Sequence, residues 1–209
     1  MKKLWLFALV LATPAWAAPG LFSMTGFEGW EPQIFKKLAP TSYRLVKDGN
    51  TQVVQANCKT SASGLIHEGG IDLTRTPILQ WRWKVDRVYS GINEKEKSGD
   101  DFPARIYVVR KGGLAIWRTR SVAYTWASQQ PKGSHWPNPF ARQVHMVAVE
   151  SGAGKVGKWV TERRDLRADF KDYFELDIET LDGIALMSDC DNAGGAMRAW
   201  FGDIKLLER

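Results

Sequence analysis

Acidic side chains gather at two places in this 209-residue sequence: Asp100 and Asp101 stand ahead of Arg105, and Asp189 and Asp191 stand ahead of Asn192. Each group adjoins an apolar run, at 105–110 and at 184–187, so both read as loop residues at strand ends. Adjacent carboxylates repel unless a cation, an arginine or a shared proton relieves them, which makes the set informative if the two loops meet. Three readings suit it. Calcium takes about six to eight hard oxygens, and Asp101, Asp189 and Asp191 are its candidate ligands. Glycoside hydrolysis needs two carboxyl groups about 5 to 9.5 Å apart, with Asp100, Asp101, Asp189, Asp191 and Glu162 as candidates; no pair has diagnostic spacing, so no catalytic residue is assigned. The plainest reading is structural, with Asp189 and Asp191 capping turns before Gly194-Gly195 and Asp101 pairing with Arg105.

Several familiar sites are excluded by spacing. The segment DCDNAGGAMRAW at 189–200 does not complete a helix-loop-helix calcium loop, because Ala193 takes the fifth place and Trp200 the twelfth, where a bidentate glutamate is needed. His67, His135 and His145 form no pair four apart with an acid between them, so a zinc-hydrolase helix is absent. Ser151-Gly152 lacks the nucleophile elbow, and no glycine-rich phosphate loop occurs.

Ten tryptophans are many for this length. Trp81 and Trp83 alternate with Arg82 and Lys84 and read as core. Trp136 differs, since it lies in the proline-rich loop SQQPKGSHWPNPF at 128–140, where its ring would stack on a sugar or cover the end of the fold. Arg82 with Lys84, and Arg118 with Arg120, fall on common strand faces and read as a solvated outer surface; nothing points to nucleic acid.

The elements that position these residues are mostly strands. Asp48-Gly49-Asn50 between the β-forming runs 43–46 and 51–55 is a hairpin signal. Residues 18–37 read as an edge strand and loop, 64–68 as a short strand, and 79–85 as a half-buried strand. The polar stretch 90–101 is an exposed loop opening onto a strand at 105–110. A turn at Lys111-Gly112-Gly113 leads to a partner strand at 114–119 and another at 121–126. SGAGKVG suggests a hairpin joining 144–149 to 158–162. One helix is expected at 165–174, where Leu166, Phe170, Tyr173 and Phe174 share a face, and strands at 184–187 and 204–207 close the chain. The fold class is mainly β: a two-sheet antiparallel β-sandwich, jelly-roll-like, with one short helix.

The first residues read as a signal peptide. Lys2 and Lys3 precede an apolar run at 4–12, and Ala15-Trp16-Ala17 supplies the small-x-small cleavage pattern, leaving a single domain at 18–209 in the periplasm or outside the cell. The apolar run is too short to span a bilayer, so no transmembrane segment is expected in the mature chain. Loss of the two lysines takes the net charge from +6 to +4. Cys58 and Cys190 would meet an oxidising compartment, where they either pair or stay as two buried thiols; spacing does not decide between these.

Four ordered blocks, WRWKV at 81–85, GDDFPARIYVV at 99–109, YTW at 124–126 and IALMSDCDNAGG at 184–195, together resemble the bacterial domain-of-unknown-function family 3047 from about residue 22 to the end. The resemblance implies exported β-sandwich proteins and no established reaction. Asp100, Asp101, Arg105, Asp189, Asp191 and Asn192 match motif positions, whereas Cys190 stands where the family's pattern more usually has threonine. The functional expectation is a non-catalytic module binding a carbohydrate or envelope polymer, through Asp100, Asp101, Arg105, Trp136 and Asn192, with calcium as a possible cofactor. The alternatives are a glycan-directed hydrolase or lyase and an envelope scaffold.

Overall fold

Period-two alternation is strongest at 78–85, and there the chain forms a strand with every second side chain buried. The computed structural model describes Leu21, Phe22 and residues 24–209; the expected signal peptide at 1–17 lies outside the described residues. Along the chain run β1 (Leu21–Phe22), β2 (Trp30–Ile34), β3 (Ser42–Asp48), β4 (Thr51–Lys59), β5 (Ala62–Asp72), β6 (Ile78–Val85) and β7 (Arg105–Arg110). There follow β8 (Arg120–Ala127), β9 (His135–Pro137), β10 (Val144–Ser151), β11 (Val160–Asp165), the helix α1 (Leu166–Phe174), β12 (Thr180–Asp189) and β13 (Ala196–Leu207).

The strands make a β-sandwich. One sheet has the order β11-β6-β13-β4-β3 with β1 paired to β13, and the other the order β2-β5-β12-β7-β8-β10-β9. Every neighbouring pair is antiparallel except β8 with β10. Between the sheets, Trp81 and Trp83 of β6 meet Tyr124 and Trp126 of β8, with Trp81 and Tyr124 stacked at 5.2 Å and Trp83 and Trp126 tilted against each other at 6.1 Å. Burying such rings is the main drive for the sandwich, at about 1.5 to 3 kcal/mol for a large apolar side chain. Helix α1 follows from local sequence: the Asp165 carboxylate accepts from the Ala168 N–H, and Leu166 and Phe170 enter the core.

The Asp48-Gly49 hairpin forms as its turn chemistry requires, joining β3 to β4 with Asp48 opposite Thr51 and Gly49 at φ 61°. Two other expectations are corrected. Residues 144–149 and 158–162 are not a hairpin, because β10 pairs with β8 and β9 in one sheet whereas β11 pairs with β6 in the other. The run 114–119 is not a strand: Gly113 turns the chain at φ 62°, and the Arg118 N–H bonds to the Ala115 carbonyl, closing a 3-10 turn at Ile116–Arg118. No helix among the described residues is long and apolar enough to cross a membrane.

Candidate functional site

Strands β7 and β12 are antiparallel neighbours with Arg105 opposite Met187. The start of β7 and the end of β12 therefore lie at the same edge, and their loops carry both acidic groups to one place. Carboxylate oxygens of Asp101, Asp189 and Asp191 come within 4.8 Å of one another. Cys190 lies between two of these acids and is bonded to Cys58 of β4, with Cα atoms 6.1 Å apart, so a disulfide ties this corner to the opposite sheet. It closes a span of 132 residues, which in the chain-entropy view stabilises the fold by about 4 to 5 kcal/mol.

Arg105 is the hub. Its guanidinium bonds Asp189 and stands 3.7 Å from Asp100, while its Nε has no partner among the described residues. The two neighbouring rings, Phe102 and Tyr107, lie 4.9 Å and 5.6 Å from the guanidinium carbon. The Asp189 carboxylate also accepts from the Phe102 N–H at 3.0 Å. Asp101 accepts from the backbone N–H groups of Asn192 and Ala193 and from the Asn192 side-chain amide. It thus closes the 190–195 turn rather than pairing directly with Arg105, as expected of it. Asp100 accepts from the Asn138 amide at 3.0 Å, and the Asn138 carbonyl accepts from the N–H groups of Phe140 and Ala141.

Burial makes this group costly when fully ionised. It pushes the Asp189 carboxyl up to about 8; Arg105 pulls the other way, and Asp101 and Asp100 add to the rise. Asp100 and Asp191 are raised too, chiefly by burial. One guanidinium faces four carboxyl groups, so a retained proton or a bound cation must relieve the excess. The donors are all hard oxygens, as calcium requires, but Asp101 and Asp189 already spend lone pairs on N–H groups. The set fits a cation held partly by the protein, with remaining positions for water or a ligand.

Beside this corner, a cleft of about 490 Å³ opens on the outer face of the seven-stranded sheet. Ile66, Tyr107, Val109, Ala185 and Met187 form its floor, Phe35, Leu38, Phe140 and Val144 its walls, and Asp100, Arg105, Asn138, Asp189, Asp191 and Asn192 its polar end. The other half of this face is covered. Phe102, Trp136 and Met146 pack there over Ala123, Ala127 and Ala148.

Of the two roles open to Trp136, the structure shows the covering one, and its ring is not available as a sugar platform. Only 5% exposed, it stacks beside Phe102 and donates its Nε1 hydrogen to the Glu94 carbonyl. Glu94 was hidden in the polar run NEKEK, yet its carboxylate is wholly buried and accepts from the N–H groups of Ser128, Gln129 and Gln130. The stretch 90–101, expected as an exposed loop, is thus anchored at its centre and buried at its end, where Asp100 and Asp101 lie. Glu162 stands apart from the acid corner, near Lys132, which also reaches Glu150. Asn138, Tyr107 and Phe140 are cleft residues that sequence reasoning missed; the asparagine between two prolines in 128–140 was the available signal for the first.

The profile of one family, described as a protein of unknown function (DUF3047), matches residues 28–205, and the chain belongs to that family. No curated protein sequence matches it. Among solved structures, it is similar to the xyloglucanase domain of a type three effector from Sinorhizobium fredii, with 11% identity and a TM-score of 0.44, covering 94% of this chain and 100% of that one. It is also similar to the family 30 carbohydrate-binding module of a cellulosomal cellulase of Clostridium thermocellum, with 11% identity, a TM-score of 0.43 and coverage of 92% and 94%. A family 29 carbohydrate-binding module is a third, with 12% identity, a TM-score of 0.40 and coverage of 90% and 91%. At such identities the activities of those proteins do not transfer to this chain.

Proposed function

We propose that this chain is a non-catalytic carbohydrate- or envelope-polymer-binding β-sandwich, exported and acting as a single domain after loss of its leader. The observation that carries the reading is the cleft, whose apolar floor runs into an end built of carboxylates and amides. A sugar ring has the same division, with C–H faces that lie on apolar and aromatic surfaces and hydroxyls that need acceptors and donors. Tyr107, Phe35 and Phe140 supply rings; Asp100, Asp191, Asn138 and Asn192 supply polar groups. Calcium is the cation that Asp101, Asp189 and Asp191 would take, bridging the corner to ligand hydroxyls. The disulfide supports export, since such bonds persist in oxidising compartments.

A hydrolase using these acids is the weaker reading. Asp101 and Asp189 are buried and held by backbone N–H groups, which leaves less freedom to act on a substrate. A glycan array probed with the purified mature protein is the test. Binding that falls about tenfold or more in Phe140→Ala, an exposed cleft-wall change, supports the proposal. An empty array, or binding indifferent to Phe140→Ala and to Asp191→Ala together, overturns it. New reducing ends released from a bound glycan, and lost in Asp100→Asn, would instead favour the hydrolase.

A further inference from the structure

At the other end of β7 from Arg105, the chain crosses to β8 through residues 111–119. A surface crossing of this kind normally carries polar side chains, yet Leu114 is fully exposed and Trp117 is 68% exposed. Their exposure is built rather than loose. The Ala115 N–H bonds the Gly112 carbonyl, the Arg118 N–H bonds the Ala115 carbonyl, and the Gly112 N–H bonds the Thr119 hydroxyl. A side chain at residue 112 would collide with the Ala115 carbonyl oxygen, so glycine is required for this tight turn. Arg120 closes it from below, donating to the carbonyls of Trp117 and Thr119 at 2.9 Å.

The charge around this knob has one sign along the chain. Residues 110–120 read RKGGLAIWRTR, with four basic side chains and no acid. Arg110 and Lys111 do contact Asp182 and Glu68, but these are partly exposed pairs of small strength whose remaining N–H donors stay available. An apolar tip with a tryptophan, flanked along the chain by arginine and lysine and with Asp177 and Glu179 set back across the neighbouring groove, matches the layering of a membrane surface. Apolar groups enter the acyl boundary, the indole sits at the headgroups and the bases meet anionic phosphates.

We propose that the β7–β8 crossing docks this protein on an anionic phospholipid bilayer, with Leu114 and Trp117 inserted and Arg118 and Lys111 on the headgroups. Arg105 and Arg110 are five residues apart on one strand, about 16 Å at strand rise. A docked molecule therefore holds the acid end of its cleft away from the bilayer, directed at material beyond it. The inference is independent of what the cleft binds.

Co-sedimentation of the mature protein with phosphatidylglycerol vesicles and with phosphatidylcholine vesicles tests it, in about 0.1 M salt. Wild-type protein should bind the anionic vesicles at least tenfold more tightly than the neutral ones. The double variant Leu114→Ser with Trp117→Ser should lose about tenfold of that binding, and Arg118→Glu about fivefold. All three positions are exposed, and circular dichroism checks that each variant is folded. Absence of wild-type binding, or binding unchanged in the double variant, overturns the proposal. So does a double variant that binds vesicles normally but no longer self-associates in light scattering, which would make the knob an interface between copies of the chain.

Discussion

Two arginine–aspartate groups with buried carboxylates obey different charge rules in this molecule. Beneath α1, Arg164 faces Asp169, and the Tyr124 hydroxyl donates to the same carboxylate at 2.6 Å. One cation meets one anion, and both carboxylate oxygens are bonded, one to the Arg164 Nη2 and the other to its Nε and the Tyr124 hydroxyl. At the β7–β12 corner one guanidinium serves Asp189 and approaches Asp100, while Asp101 and Asp191 add further negative charge. A balanced pair needs nothing more to be stable. An unbalanced one stores a demand for a proton, a cation or a ligand, and this one faces an open cleft.

The sharpest way to break this contrast is to remove each arginine in turn. Arg105→Met should cost about 3 to 5 kcal/mol of unfolding free energy, because it strands several buried carboxyl groups. Arg164→Met should cost less, about 1 to 3 kcal/mol, since a third of that side chain is exposed and Tyr124 still bonds Asp169. Urea unfolding at neutral pH measures both. Lowering the pH to 5 should restore part of the Arg105→Met loss by protonating the stranded acids. Equal costs, with no recovery on acidification, would remove the distinction between the two groups.

A second test reads the stored proton directly. The Asp189 carboxyl is raised by burial to about 8, above its ordinary value near 3.8, so between those limits the folded state binds more protons than the unfolded one. Its contribution to stability is therefore fully present at low pH and is lost as pH rises through about 8. Asp189→Asn should flatten that part of the stability profile while keeping an acceptor for the Phe102 N–H. A slope between pH 5 and 8 that is unchanged in Asp189→Asn would show that Asp189 does not hold the proton.

The contrast also shows which parts of the site were readable before folding. Asp100, Asp101, Arg105, Asp189 and Asp191 stood out because turn residues flanking apolar strands are a local pattern, and so was the Asp48-Gly49 hairpin. Their meeting was not local, since it depends on β12 pairing with β7 across some eighty residues of chain. The same cause produced the false hairpin at 144–162: SGAGKVG reads as a turn, but nothing in it reveals that its two strands enter different sheets. The two readings of Trp136, sugar platform or cover for the end of the fold, stay open in the sequence because Glu94, whose carbonyl receives the indole hydrogen, lies 42 residues away in a run that looks solvated. The disulfide is undecidable from sequence for the same reason, as 132 residues separate Cys58 in β4 of one sheet from Cys190, which directly follows β12 of the other.

The smallest expected effect decides how the charge excess is relieved. Calcium that binds only the folded state raises its melting temperature, by a few degrees at concentrations well above Kd. Asp191 is the half-buried member of the acid set, so Asp191→Asn should leave calcium-free stability within about 1 kcal/mol and abolish the shift. The Arg164–Asp169 group supplies the internal control: Asp169→Asn should destabilise the protein yet leave the calcium shift intact, because that carboxylate lies outside the set. A melting temperature indifferent to calcium in the wild-type protein would leave the proton on Asp189 as the means of relief, and ligand hydroxyls would then meet a protonated carboxyl group instead of a metal ion.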